Sequence, residues 1–173
     1  MRILIDASSA ILLYKAGVLD NVLDAYEVWM SGAVFKEVDK EGRPGARAFR
    51  EAVRTHRITV DPERAESAFA EAPSLGEGER ETLMQFLSDG DRFRFIVTDD
   101  GDAARLCRSM GLPFVNALLM VRLLRWAGHL PREKSDSAWA TLQTIGRYSP
   151  EIIQKAETIS PDHLLAFYSA ATP

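Results

Sequence analysis

The sequence predicts an α/β fold built on a mainly parallel sheet of about five strands. Short apolar runs alternate with segments of helical periodicity, and each run has the length of a strand that is buried on both faces. The stretches between the runs are long enough for crossover helices, which parallel strands require. The five predicted strands are residues 3–5, 26–30, 57–60, 95–98 and 113–115.

The segments between these strands have helical periodicity, and glycines mark their ends. A turn at 42–45 leads into a helix, Gly111 has the position of a helix C-cap, and Gly128 ends a strongly apolar helix. The predicted helices are residues 8–15, 21–25, 33–40, 46–55, about 79–89, 103–110 and 117–127.

Pro131 separates a unit of residues 1–130 from a C-terminal extension of residues 131–173. The extension has apolar residues at helical spacing, so we expect its helices to pack on the same core. These residues are Trp139, Leu142, Ile145, Ile152, Ile153, Leu164, Leu165 and Phe167.

Composition limits the class of protein. A chain of 173 residues that is 46% hydrophobic and 27% charged can form one domain with a sizeable core. No run approaches the ~18 apolar residues of a membrane span, and the N-terminus has no signal-peptide pattern, so we expect a cytoplasmic protein. The single cysteine, Cys107, cannot form an internal disulfide, and the net charge of −4 lacks the basic excess of a general nucleic-acid binder.

Acidic residues follow two of the predicted strands. Asp6 comes directly after the first strand, and Asp99, Asp100 and Asp102 come after the fourth. Ligand sites of open α/β sheets lie beyond the carboxyl ends of the strands, where these acids would repel one another unless a cation lies between them. The pattern therefore favours a site for Mg²⁺ or Mn²⁺, although an Asp in this position can also cap the next helix.

Two further acids have suggestive positions. Glu37 lies in a short helical segment after the second strand, and Glu79 lies at a helix start after the turn of Gly76 and Gly78. Each could project toward the same edge of the sheet. Each could equally be an ordinary helix residue, since Glu is a good helix former and stabilises a first turn.

Several other kinds of site do not fit the residues. The segment that starts at Gly76 begins like a dinucleotide fingerprint, but Glu81 replaces the third glycine and no strand directly precedes it. No Walker loop and no serine-hydrolase elbow is present. The three histidines, His56, His129 and His163, are scattered along the chain without metal-ligand spacing.

In order and spacing, four segments resemble the acidic motifs of PIN-domain ribonucleases, the family that includes the VapC-type toxins. The resemblance extends into the C-terminal extension, as in a longer subgroup of that family. It implies a three-layer α/β/α sandwich with Asp6, Glu37, Glu79 and Asp100 as core acids, Asp102 or Asp99 as an additional carboxylate, and Ser8 and Thr98 as hydroxyls beside them. The four segments are residues 3–10, 35–38, 75–83 and 97–102.

The resemblance also implies an activity. It predicts an endoribonuclease that uses Mg²⁺ or Mn²⁺ to hydrolyse RNA phosphodiester bonds, and that acts as the toxin of a toxin–antitoxin pair. The partner would be a small antitoxin protein, with formation of a homodimer through the same apolar face as a competing expectation. Two other classes stay open: a receiver or phosphatase in which Asp6 is the nucleophile, and a catalytically silent module that binds a protein partner.

Four arginines could contact the RNA. The spacing of Arg43, Arg47, Arg50 and Arg54 places the last three on one face of the predicted helix 46–55. Arginine matches phosphate oxygens, which makes this face a candidate for gripping RNA. The alternative is a solvated surface in which Glu51 pairs with Arg47.

Overall fold

The computed structural model describes residues 1–61 and 75–164. It contains a five-stranded sheet with all strands parallel, in the order β3-β2-β1-β4-β5, which confirms the predicted fold class. The strands are β1 (Arg2–Ile5), β2 (Glu27–Ser31), β3 (Ile58–Asp61), β4 (Phe95–Val97) and β5 (Phe114–Val115).

Helices connect the strands and cover both faces of the sheet. The helices before β4 are α1 (Ala7–Lys15), α2 (Leu19–Ala25), α3 (Gly32–Val38), α4 (Ala46–Arg54) and α5 (Glu77–Ser88). Those after β4 are α6 (Gly101–Met110), α7 (Ala117–Trp126), α8 (Arg132–Ile145) and α9 (Pro150–Thr158). Among the described residues, no helix is long and apolar enough to cross a bilayer.

The alternating side chains of the central strands divide the core into two layers. Ile3 and Ile5 pack on one face against helices that include α1, α4, α7 and α8. Leu4 points to the opposite face, where it packs against α5 and α6. Because both faces are covered by helices, the molecule is the expected three-layer α/β/α sandwich.

The extension packs on the first of these layers as far as the structure describes it. Leu142 of α8, Ala156 of α9 and Leu164 are buried in the same apolar cluster as Ile3 and Ile5. Ile145 and Ile152 are the exceptions among the large apolar residues of the extension that the structure describes, since each is 38% exposed. Leu165 and Phe167, also predicted to pack, lie outside the described residues.

Strand order locates the site. The chain proceeds from β1 to β2 and β3 on one side and from β4 to β5 on the other, so the direction of winding reverses between β1 and β4. Ligands of doubly wound sheets bind at this switch point, beyond the carboxyl ends of the strands. Asp6 follows β1 and Asp99 follows the β4 segment, so both acids lie at that crevice.

Candidate functional site

Asp6 caps the N-terminus of α1, and its side chain is only 1% exposed. Its Oδ1 accepts hydrogen bonds from the Ser9 N–H at 2.7 Å and the Ser8 hydroxyl at 2.9 Å. Its Oδ2 accepts from the Thr98 hydroxyl at 2.5 Å. Burial outweighs these hydrogen bonds and raises the pKa of Asp6 to about 7. The sequence left open whether Asp6 caps a helix or belongs to an acidic site at the end of β1. In the structure Asp6 caps α1 and also lies at that strand end.

Thr98 connects the ends of the two central strands. Its buried hydroxyl donates to Asp6 Oδ2 and accepts from the Asp100 N–H at 3.2 Å. One side chain thereby fixes the carboxylate after β1 and the backbone after β4. The structure thus places Ser8 and Thr98, the two hydroxyls expected beside the acids, in direct contact with Asp6.

Asp100 caps the N-terminus of α6. Its Oδ1 accepts from the N–H groups of Asp102 at 2.9 Å and Ala103 at 2.8 Å. Capping occupies this one oxygen, and in the described part of the chain Oδ2 has no hydrogen-bond partner. Asp102, two residues further along the chain, forms an ion pair with Arg105 on the same helix.

Asp99 has different neighbours from Asp100, although the two are adjacent in sequence. Its Oδ2 accepts from the Ser9 hydroxyl at 2.7 Å and the Ala117 N–H at 3.0 Å, and its Oδ1 accepts from the Tyr148 hydroxyl at 2.5 Å. Burial raises the pKa of Asp99, and these donors partly offset that rise. Both oxygens are thus engaged, and Asp99 bridges α1, α7 and the extension.

Glu79 lies in the first turn of α5, where the backbone N–H groups of Glu79 itself and of Gly76 stabilise its carboxylate. A Cβ at position 76 would collide with an oxygen of this carboxylate, so a larger residue there would displace the Glu79 side chain from its present position. Burial raises the pKa of Glu79, and the negative charges of Asp100 and Glu37 raise it further. The three acids therefore lie near enough to repel one another.

Glu37 projects from α3 beside Glu79, but it is also an ion-pair partner. Its Oε1 lies 3.3 Å from a terminal nitrogen of Arg43, and both side chains are more than a third exposed. This contact places Glu37 at the rim of the site. Glu81, in the same motif as Glu79, instead accepts from the Ala33 N–H at 3.0 Å and so supports the start of α3.

Two of the three arginines on the exposed face of α4 already form ion pairs with acidic side chains. Arg50 contacts Asp39 at 2.8 Å, and Arg54 forms two hydrogen bonds to Glu51. The alternative of a solvated face predicts that Glu51 pairs with Arg47, but its carboxylate instead contacts Arg54, three residues later along the helix. Arg47 is exposed and has no acidic partner within residues 1–61 and 75–164.

The predicted site residues thus fall into connected groups. Glu37, Glu79 and Asp100 interact electrostatically, and Thr98 links Asp100 to Asp6. Asp99 faces α7 and the extension, while Asp102 is held by Arg105. Within the described ranges, no group of three or more His, Cys, Asp or Glu side chains is already arranged to hold a metal ion.

Two contributors were not anticipated from the sequence. Ser9 donates its N–H to Asp6 and its hydroxyl to Asp99, so it joins the two buried acids. Tyr148 brings a hydroxyl from the extension to Asp99 across 49 positions. Its ring lies where a side chain at Gly146 would have to be, which is a local signal that a bulky group occupies this corner.

Comparison of the chain with protein-family models, with curated proteins and with solved structures finds no match.

Proposed function

We propose that this chain is a Mg²⁺- or Mn²⁺-dependent endoribonuclease of the PIN type. The observation that carries the proposal is the meeting of acids from separate segments at the switch point between β1 and β4. Burial raises the pKa of Asp6 to about 7 and also raises that of Glu79, and the negative charges of neighbouring acids raise both further, as is common at functional sites.

The chemistry of the donor set fits a hard divalent cation. Asp100 Oδ2, Glu79 and Asp6 would supply carboxylate oxygens, with Glu37 and Asp102 at the edge. Mg²⁺ typically keeps several waters, so water can bridge the ion to carboxylates that do not touch it. When bound, the ion would lower the pKa of an attacking water and stabilise negative charge on the leaving oxygen of RNA.

The protein's own groups prepare the site for this chemistry. Ser8, Ser9 and Thr98 hold the Asp6 carboxylate in one orientation with three hydrogen bonds. The cap at α6 fixes Asp100, so its second oxygen points away from the helix backbone. The hydroxyls beside the acids donate their protons to carboxylates, so hydrolysis by water is the reaction that this arrangement best supports.

The contacts along α4 single out Arg47 as the arginine most available to phosphate. We expect Arg47→Gln to weaken RNA binding and to make the plot of log affinity against log salt shallower by about 0.7, the value for one single-strand phosphate contact. The matched variant Arg54→Gln should change the slope less, because Glu51 already neutralises Arg54. Filter binding at a series of salt concentrations measures both slopes. Equal slopes in wild type and Arg47→Gln would remove this face from the RNA path.

The toxin role and the antitoxin partner are part of the same proposal. A nuclease that cleaves RNA in the cytoplasm must be restrained in its own cell, and a small antitoxin protein could do this by covering the acidic site. The exposed side chains of Ile145 and Ile152 on the extension offer apolar contacts either to such a partner or to a second copy of the chain.

RNA cleavage tests the proposal. Purified protein and a mixed pool of RNAs are incubated with Mn²⁺, with Mg²⁺ or with EDTA, and the products are resolved on a gel. We expect cleavage with either metal, none with EDTA, and at least a hundredfold slower cleavage by Asp6→Asn, as is typical when a group that acts on the transition state is removed. Asp162→Asn, an exposed acid on another part of the surface, is the control. A folded wild-type protein that cuts no RNA would instead favour a silent partner-binding module.

A further inference from the structure

A cavity of about 260 Å³ lies between α7, α8 and α9, on a different part of the molecule from the acids. Arginine, tryptophan and acidic side chains line it, and none of them belongs to the proposed nuclease site. They are Arg122, Arg125, Trp126, Ser135, Asp136, Trp139 and Glu157.

Arg122 has an unusual setting in this cavity. Its guanidinium lies 4.4 Å from the ring centroid of Trp126 and 5.5 Å from that of Trp139. Its Nε is buried without a hydrogen-bond acceptor, and in the part of the chain that the structure describes no carboxylate lies within ion-pair distance of it. Because indoles cover the guanidinium, any acceptor has to approach the edge that carries the terminal nitrogens.

The neighbouring charges leave Arg122 without a close counterion. Asp136 is shared between Arg125 at 3.1 Å and Arg132 at 3.6 Å. Glu157 attracts Arg122 electrostatically but does not form an ion pair with it in the described structure. Burial and the nearby Arg125 lower the pKa of Arg122, as expected for a guanidinium that lacks a close anion. Within the lining, Arg125 is thus paired with Asp136, whereas Arg122 has no carboxylate at ion-pair distance in the described structure.

We propose that this cavity, the Arg122 pocket, binds the carboxylate of an acidic side chain from a partner polypeptide. With Nε buried, Arg122 offers one edge of two terminal nitrogens, which matches the two oxygens of a carboxylate. A phosphate dianion suits the pocket less well, because Asp136 and Glu157 line it and repel a second negative charge more strongly. The indoles of Trp126 and Trp139 would contact the apolar part of the same side chain.

The volume also suits a single side chain. Pockets for small-molecule ligands are typically about 300–1,000 Å³, whereas this one is about 260 Å³. A side chain enters with its backbone outside, so it needs less room than a free ligand. The proposal does not depend on the nuclease function, since the pocket shares no residue with the acids.

Two blocked peptides test the pocket: acetyl-Leu-Glu-amide and acetyl-Leu-Gln-amide. They differ only in that the first has a side-chain carboxylate where the second has a neutral carboxamide. The chain has three tryptophans, and their indole N–H signals in a ¹H–¹⁵N spectrum report on each one. The Glu peptide should shift the signals of Trp126 and Trp139 saturably at millimolar concentration, as expected for a ligand of this size. Trp29, which packs in the layer on the opposite face of the sheet, should not shift and is the internal control.

Two variants make the test specific. Arg122→Gln should abolish the shifts, and Glu157→Gln should tighten binding of the Glu peptide about threefold or more by removing a competing negative charge. If Arg122→Gln fails to fold, the affinity of the Glu peptide for Glu157→Gln, compared with that for wild type, still tests the proposal. Equal shifts with the Glu and Gln peptides, or unchanged affinity in Glu157→Gln, would overturn the proposal. A response to inorganic phosphate at lower concentration than to the Glu peptide would also overturn it and point to nucleic acid.

Discussion

The Asp6→Asn variant is expected to gain stability relative to wild type as the pH rises from 5 to 8 in the presence of EDTA. The Asp6 carboxyl is buried and its pKa is about 7, against 3.8 for an unhindered aspartate. Its protonated form therefore favours the folded state. The stability that it contributes is complete below about pH 4 and is lost as the pH rises toward 7.

The size of the effect follows from the pKa difference. A shift of about 3 units corresponds to roughly 4 kcal/mol between fully protonated and fully ionised states, of which about 2–3 kcal/mol falls between pH 5 and 8. Asparagine cannot ionise, and it caps a helix as well as aspartate does. We therefore compare the free energy of unfolding of Asp6→Asn with that of wild type at each pH. The difference in favour of the variant should grow by about 2–3 kcal/mol between pH 5 and pH 8.

Urea unfolding at both pH values measures the difference. Asp162→Asn, which removes a charge from an exposed position, should follow wild type at each pH. If Asp6→Asn also follows wild type at pH 5 and 8, the carboxyl of Asp6 does not have a raised pKa and the description of the site fails.

Tyr148→Phe is expected to lower the free energy of unfolding by about 2 kcal/mol at pH 8. The change removes one hydroxyl that donates to Asp99 Oδ1 at 2.5 Å and leaves the ring in place. Hydrogen bonds to charged groups are worth about 1.5–3 kcal/mol, and the buried Asp99 carboxylate would lose the donor that stabilises it most among its three partners.

A double-mutant cycle separates this bond from other effects of the substitution. In the Asp99→Asn background, Tyr148→Phe should lower stability by less than about 1 kcal/mol, because the acceptor is no longer charged. Tyr14→Phe, which alters a partly exposed tyrosine that packs on Phe49, is the control and should have little effect. Equal losses in the wild-type and Asp99→Asn backgrounds would show that the hydroxyl does not act through Asp99.

Much of the fold could be predicted because its determinants are local. Buried parallel strands form continuous apolar runs, and all five were found from runs such as 3–5 and 95–98. Errors were concentrated at the ends of elements. The apolar run predicts a strand that includes Thr98, but β4 ends at Val97; the Thr98 N–H still bonds to Val115 O, and its hydroxyl contacts Asp6 and the Asp100 N–H.

The acids were also predictable, since their positions after the strands follow from the parallel topology. Their different roles were not. Asp99 and Asp100 are adjacent and chemically identical, yet one bridges to Ala117 and Tyr148 while the other caps α6. That distinction depends on a tyrosine 49 positions away, whose location is fixed only when α7, α8 and α9 pack on the core.

The pairing of long charged side chains was least predictable. Glu51 can reach an arginine either three residues ahead or four residues behind it on the helix, and the two geometries differ little in energy at an exposed surface. The alternative named from the sequence pairs Glu51 with Arg47, whereas the structure has Arg54. Similarly, the contact between Glu37 and Arg43 depends on the turn between α3 and α4 rather than on a helical repeat.

Binding of Mn²⁺, measured by titration calorimetry, most directly tests the central claim that the acids at the β1–β4 edge hold a divalent cation. Wild type at pH 7 should bind about one Mn²⁺ and release protons, because a cation beside Asp6 lowers its pKa again. Asp100→Asn, which preserves the helix cap, should bind at least tenfold more weakly, and Asp162→Asn should bind like wild type. If wild type binds no Mn²⁺, or if Asp100→Asn binds it with unchanged affinity, the acids at the β1–β4 edge do not hold a divalent cation.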